Sequence, residues 1–352
     1  MENRKKGVYM FKFFKDKKLK KMLELHDFNK QFDLAISENY QIDSKETSPL
    51  FYNTYIFYAH SFDKRQTMYF KYTTTPVQTE VLVYLTEGYN KYVIEQQVYT
   101  SNCPLKVFKD EDGLWNVNFN NYLKKNNKDN AKLSFVSKFE CNDLVIDKNS
   151  YITKEALFNS FQNESNYNEI IEEIKNDNNV SYFQKGTLKG RMILEGQSST
   201  FELSCVKIHK YGSIDYMNIN NHIDLTVFNE KMFMNYNLIS QPNLTVFENG
   251  VYCEKEQDIH FLKQATYEKQ LFTRGIAPNY LNILLTFNNE KETTLHIKKI
   301  DDIELFLQEG QYNLILAIVE VLTEGKKYRG ILECGFNNDS NKWFNGLAMK
   351  GL

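Results

Sequence analysis

In the stretch Phe201-Glu202-Leu203-Ser204-Cys205-Val206-Lys207-Ile208-His209, apolar residues recur at every second position. In a strand, the parity that puts Phe201, Leu203 and Cys205 on one face puts Lys207 and His209 there too. An imidazole buried beside a lysine has its protonated form disfavoured, which leaves a neutral ring able to accept or donate one proton. The other reading is that the strand has reached a rim, where both groups meet water. Two further strands break their apolar faces in the same way. Met232, Met234, Tyr236 and Leu238 share one face, which aims the Tyr236 hydroxyl inward. Leu314, Leu316, Ile318, Glu320 and Leu322 share another, with Glu320 as the polar exception. A buried Tyr or Glu needs a hydrogen-bond partner, which can be structural or catalytic. Methionines and aromatics around a few polar points are the usual lining of a small-molecule site.

Common catalytic signatures are missing. No Gly-rich run ends in Lys-Ser or Lys-Thr, and Gly186 and Gly190 lack the third glycine and following helix of a dinucleotide site. There is no Gly-x-Ser-x-Gly elbow. The six histidines, His26, His60, His209, His222, His260 and His296, are scattered, so their spacing predicts no metal site. Cys103, Cys141, Cys205, Cys253 and Cys334 are odd in number and far apart, which suits free thiols in a reducing cytoplasm better than a disulfide framework.

The elements that must carry these groups are mostly strands. The 352 residues imply about two domains or one large β unit. Only 5 Pro and 15 Gly stand against 23 Tyr and 26 Phe, a balance that suits long strands joined by short hairpins. Two-residue alternation predicts one run of strands from Tyr52 to Phe139 and a second from Leu188 to Cys334. Helical spacing is confined to Leu19, Met22, Leu23 and His26 near the start and to Leu157, Phe161, Tyr167, Ile170, Ile171 and Ile174 after a Thr153 cap. The expected organisation is an N-terminal β-barrel domain over 1–180, including a linking helix near 153–176, and a C-terminal β-barrel domain over 181–352.

Net charge is −2, and only five of the 43 basic residues are Arg. Nucleic acid is therefore not an expected partner. No stretch approaches the roughly 18 apolar residues of a membrane span. The basic, aromatic N-terminus over 1–23 could touch an anionic membrane surface weakly, although a solvated basic face explains the same residues.

Several motifs resemble one family. Tyr182, Gln184, Gly186, Leu188 and Gly190 match the Tyr-x-Gln-x-Gly-x-Leu-x-Gly opening of the second domain of AttH-like proteins, the lipocalin-like group that includes the carotenoid hydratase hydroxyneurosporene synthase. The group's hallmark, Arg-Asp-His-Ser-Phe/Trp-Gly-x-Arg-Asp-Trp, is similar to Lys207-Ile208-His209-Lys210-Tyr211-Gly212-Ser213-Ile214-Asp215-Tyr216. Here Ile208 replaces the first Asp, and neither Arg is kept. Tyr55 to His60, Glu80 to Leu85, Pro104 to Phe108 and Tyr328 to Glu333 resemble further parts of the same proteins, so the likeness spans about 50–336. It implies two tandem lipocalin-like antiparallel barrels and cofactor-free hydration, cyclisation or isomerisation of a polyene, terpenoid or polyketide-like substrate. It also implies His209 as the acid/base, Asp215 and Tyr236 beside it, and Tyr211 and Glu333 around the substrate, to which strand parity adds Lys207, Met232, Met234 and Glu320 as substrate-binding residues. Loss of the first Asp leaves a second reading open, a non-catalytic carrier of a hydrophobic small molecule.

Overall fold

The computed structural model describes residues 15–24, 33–42, 46–48, 50–61, 65–148, 152–161, 167–241, 244–254, 258–267, 277–307 and 310–338. Two closed antiparallel barrels make up most of it. The first contains β1 (Phe51–Ser61), β2 (Gln66–Thr74), β3 (Thr79–Glu87), β4 (Asn90–Tyr99), β6 (Trp115–Lys125), β7 (Asp129–Asp147), β8 (Val180–Leu194) and β9 (Gln197–Ser213). Its ring closes where β4 meets β6 through Tyr92↔Lys125 and Val93↔Lys124. A short strand, β5 (Leu105–Lys109), occupies the other half of the same β6 edge.

The second barrel runs in order through β10 (Asn221–Phe228), β11 (Phe233–Gln241), β12 (Leu244–Cys253), β13 (Ile259–Tyr267), β14 (Tyr280–Phe287), β15 (Glu292–Leu307), β16 (Tyr312–Thr323) and β17 (Lys326–Asn337). Both rings close first strand on last, β10 pairing with β17 in the second from Asn221↔Phe336 to Phe228↔Arg329. β1 pairs with β9, its most distant partner in sequence, from Phe51↔Ser213 to His60↔Ser204.

This pairing corrects the expected division at 180/181. Val180–Leu194 and Gln197–Ser213 are hydrogen-bonded to β7, to each other and to β1, so they complete the first barrel. The second ring starts at Asn221. The helical segment is not a joint between domains either. It forms two helices, α3 (Lys154–Phe161) and α4 (Tyr167–Asn176), inserted between two strands of one barrel. Thr153 caps α3 as expected, its Oγ1 accepting from the Ala156 amide at 3.1 Å. With the helix over 15–24 (α1), these helices bury Leu19, Leu23, Leu157, Phe161, Ile170 and Ile171 against Phe247 of β12. His26 lies outside the described residues.

Each barrel has a filled apolar interior, and the two rings share a third core. In β1 the odd residues Tyr55, Phe57 and Ala59 point into the first barrel. The even residues Ile56 and Tyr58 point outward against Phe228, Ile303, Leu314, Leu316 and Ile318 of the second. In β16, Ile315, Ala317, Val319 and Val321 face inward while Leu314, Leu316 and Ile318 face the seam. That double burial is why Leu314 to Val321 reads as an almost unbroken apolar run instead of an alternating one.

Candidate functional site

Phe201, Leu203 and Cys205 of β9 belong to the interior of the first barrel, and the pleat carries Lys207, His209 and Tyr211 to the same side. Lys207 and His209 are 0% exposed. Of the two readings of this strand, the structure has the buried one.

His209 is held by hydrogen bonds at both nitrogens. Nε2 lies 2.6 Å from Asn53 Oδ1 and Nδ1 lies 2.9 Å from the Tyr182 hydroxyl. Asn53 Nδ2 donates to the Tyr40 carbonyl at 3.3 Å, which fixes the orientation of the amide. Its oxygen can therefore only accept, so Nε2 carries the proton and Nδ1 receives the hydrogen bond from Tyr182. The Tyr55 ring stacks on the imidazole at 4.1 Å, and Tyr182 meets it edge-on at 5.2 Å. Burial, reinforced by the Lys207 cation, lowers His209 to about 3 against a partial offset from Glu38. The ring is neutral across the physiological range.

Beside it, the Lys207 ammonium donates to Glu38 Oε1 at 3.0 Å and to Gln184 Oε1 at 2.5 Å. It also lies over the Trp115 ring, 4.1 Å from its centroid. Burial brings Lys207 down to about 8, with Glu38 pulling the other way. Burial would raise Glu38, but Lys207 and hydrogen bonds from Lys109 and Trp115 outweigh it and hold the carboxyl at about 2. Glu38 comes from outside the ring, at the end of α2 (Leu34–Glu38), a short helix started by an Asp33 side chain that accepts from the Ile36 amide at 3.1 Å. Two further contacts seat this segment on the barrel mouth. The Tyr211 hydroxyl lies 3.1 Å from Ser37 Oγ, and Tyr40 stacks on Tyr211 at 3.9 Å. Next to Asn53 a groove of about 280 Å³ opens between Gln41, Ile42, Glu46, Thr74, Thr75 and Pro76.

The structure therefore gathers His209, Lys207 and Tyr211 and disperses the other expected site residues. Asp215 caps the 3-10 turn Tyr216–Asn218, accepting from the Met217 amide at 3.0 Å and from Asn218 Nδ2 at 3.1 Å. Met232, Met234 and Tyr236 line the interior of the second barrel, where the Tyr236 hydroxyl donates to Glu248 at 2.8 Å. Glu320 does share a face with Leu314 and Leu316, but that face is the outside of the second ring, and its carboxylate pairs with Lys327 at 3.2 Å. Glu333 sits in the seam, 3.8 Å from Lys210, which is also 3.9 Å from Asp224. Asp215 lies on the link between the rings and the others belong to the second barrel or to the seam, because β9 closes the first ring while 221–337 builds the second.

Four participants were not anticipated as site residues. Asn53 was within reach of the parity argument, because it precedes Tyr55, Phe57 and Ala59 on the inward face of β1. Tyr182 and Gln184 were visible only as motif letters. Glu38 carried no signal, since a lone glutamate before the first strand has no periodicity to mark it. Among the described residues no group of three or more His, Cys, Asp and Glu side chains converges as a metal site requires.

No protein-family model matches the chain, and no curated protein matches it in sequence. Solved structures do match it in fold. A protein of Nitrosomonas europaea described as an AttH superposes with a TM-score of 0.50 at 10% identity, over 81% of this chain and 91% of that one. Kievitone hydratase of Nectria haematococca superposes with a TM-score of 0.52 at 9% identity, over 88% of this chain and 97% of that one. The two-barrel, AttH-like fold that the motifs implied is thus the fold of this chain.

Proposed function

We propose that this chain is a cofactor-free acid–base enzyme acting on a small hydrophobic substrate at the mouth of the first barrel, with His209 as the proton carrier. The observation that carries this reading is the buried, neutral imidazole whose Nδ1 accepts from Tyr182 while Nε2–H is anchored on Asn53. A neutral ring with that tautomer is set to take a proton, through Nδ1, before giving it back. Proton removal and redelivery cover isomerisation, cyclisation and the addition or loss of water. Asn53 would hold the ring in place of the carboxylate that Ile208 has replaced. The Lys207 ammonium, in a water-poor site, would stabilise negative charge that develops on the substrate. Similarity of fold to a hydratase agrees with this chemistry class.

The alternative is a non-catalytic carrier, and the complete hydrogen-bonding of His209 favours it. Incubating the protein in D₂O with an apolar cell extract, followed by mass spectrometry, separates the two. The enzyme reading expects a product carrying deuterium on carbon, formed at least 10²-fold more slowly by His209→Gln, the usual scale of a positioned acid or base. Equal rates for the two proteins would remove His209 from the mechanism. A compound bound but returned unchanged would establish the carrier.

A further inference from the structure

Glu38 occupies a receptor that the barrel builds and the helix merely fills. Its Oε1 accepts from Lys207 Nζ at 3.0 Å and from Trp115 Nε1 at 3.2 Å, and its Oε2 accepts from Lys109 Nζ at 2.5 Å. The three donors stand on β9, β6 and β5, and Gln184 of β8 steadies Lys207 from the other side at 2.5 Å. Lys207 is wholly buried, and Trp115 and Gln184 are nearly so. Two cations and an indole N–H aimed at one carboxylate form a charge-assisted site of the stronger kind.

The occupant is held differently. Within α2 only Ser37 is buried, and Ile36 is 69% exposed, so the helix contributes little apolar burial of its own. Its attachment is mostly polar, with Glu38 in the receptor, Ser37 against Tyr211 and the Tyr40 carbonyl on Asn53, and one ring stack, Tyr40 on Tyr211, is added to these. Segments tied down by polar contacts open at low free energy compared with packed strands. Simple opening would strand a buried ammonium without a counter-charge, which is costly. Exchange of one carboxylate for another avoids that cost.

We infer that α2 is a self-supplied plug and that the Lys207, Trp115 and Lys109 donors bind the carboxylate of an amphipathic organic acid, which displaces Glu38. The acid's apolar body would lie against Tyr55 and Trp115, whose rings are 4.8 Å apart, and extend through the volume that α2 vacates toward the groove by Asn53. The reading deepens the proposed function by naming a substrate class, and it rests on that proposal only for the ligand's location. The ligand carboxylate would take over from Glu38 the partial shielding of His209 from the Lys207 charge.

Calorimetric titration of the full chain with octanoate and with 1-octanol tests the inference by binding alone. Octanoate is expected to bind the wild type at least tenfold more weakly than it binds Glu38→Ala, in which the competitor is gone. In the Glu38→Ala background, Lys207→Met should abolish octanoate binding and leave that of 1-octanol unchanged. Trp115→Phe, which removes one donor and no charge, should weaken octanoate several-fold and covers the case in which Lys207→Met does not fold. Equal octanoate affinities for wild type and Glu38→Ala would overturn the plug, and equal binding of octanoate and 1-octanol by Glu38→Ala would overturn the receptor. Neither result depends on turnover, so the plug can stand if His209 proves inert and can fall if His209 proves catalytic.

Discussion

Three histidines in this chain are kept neutral by their surroundings, and acid should expose the cost. His60 donates through Nε2 to the Phe228 carbonyl at 3.1 Å and is lowered to about 4, chiefly by burial. His222 meets the Tyr312 hydroxyl at 2.6 Å and is also lowered to about 4 by burial, in spite of Glu333 and Asp224 nearby. His209 stands at about 3. In the unfolded chain each returns to about 6.5. Below that value the unfolded state binds protons that the folded state refuses, so stability is complete above pH 6.5 and falls as pH drops toward 4. Glu38 and Asp224, both held near 2, join the loss only below the ordinary carboxylate range. Melting temperature followed from pH 7 to 4.5 should therefore decline, and His60→Leu should flatten the slope. A level profile in the wild type would contradict neutral burial.

Among the elements, β8 shows how local sequence dictates geometry. A Cβ on Gly186 would lie 2.1 Å from the Glu140 carbonyl oxygen, and one on Gly190 would lie 2.4 Å from that of Val136. Both obstacles are backbone of β7, which is paired with β8 over almost its whole length and slips register between Cys141 and Val145. Gly186→Ala should cost about 3 kcal/mol or more, as strained substitutions at crowded backbone sites do, and denaturant titration would read it as a lower midpoint. A change below about 0.5 kcal/mol would mean that the strands separate freely. Strand parity made much of this architecture legible, including the inward aim of Lys207 and His209. Parity is a property of one strand, and it does not say which ring a strand joins. A division at 180/181 therefore puts Ser181 to Ser213 in the wrong barrel and draws Tyr236 and Glu333 toward a histidine that they do not meet. Glu38 escaped for a related reason, since a tertiary ion pair leaves no mark on the periodicity around either partner.

The whole molecule depends on the seam between its barrels. Phe228 is fully buried there, edge-on to Tyr58 at 5.2 Å. Polar contacts reinforce the apolar ones: Lys148 reaches Asp224 at 3.3 Å, and Asp301 accepts from both Lys91 at 2.9 Å and Tyr84 at 2.8 Å. Neither ring can expose this surface without presenting aromatics to water, so the barrels should unfold together. Calorimetry should give one transition, with calorimetric and van't Hoff enthalpies in agreement. Phe228→Ala should remove about 3–5 kcal/mol, the usual cost of emptying a buried aromatic site, and split the transition in two. Two transitions in the wild type would show the seam to be weak. The β1–β9 pairing also has a consequence in time. Glu38 and Lys207 are 169 residues apart in the chain, and β1 lies between an early partner, β2, and a very late one. At synthesis rates of about 5–20 residues per second, the ribosome takes on the order of 10 to 30 s to deliver the second half of that ion pair. Through that interval the first sheet carries an unclosed edge, and α2 has no cation to settle on. Assembly of the site is the last act in the birth of the first barrel.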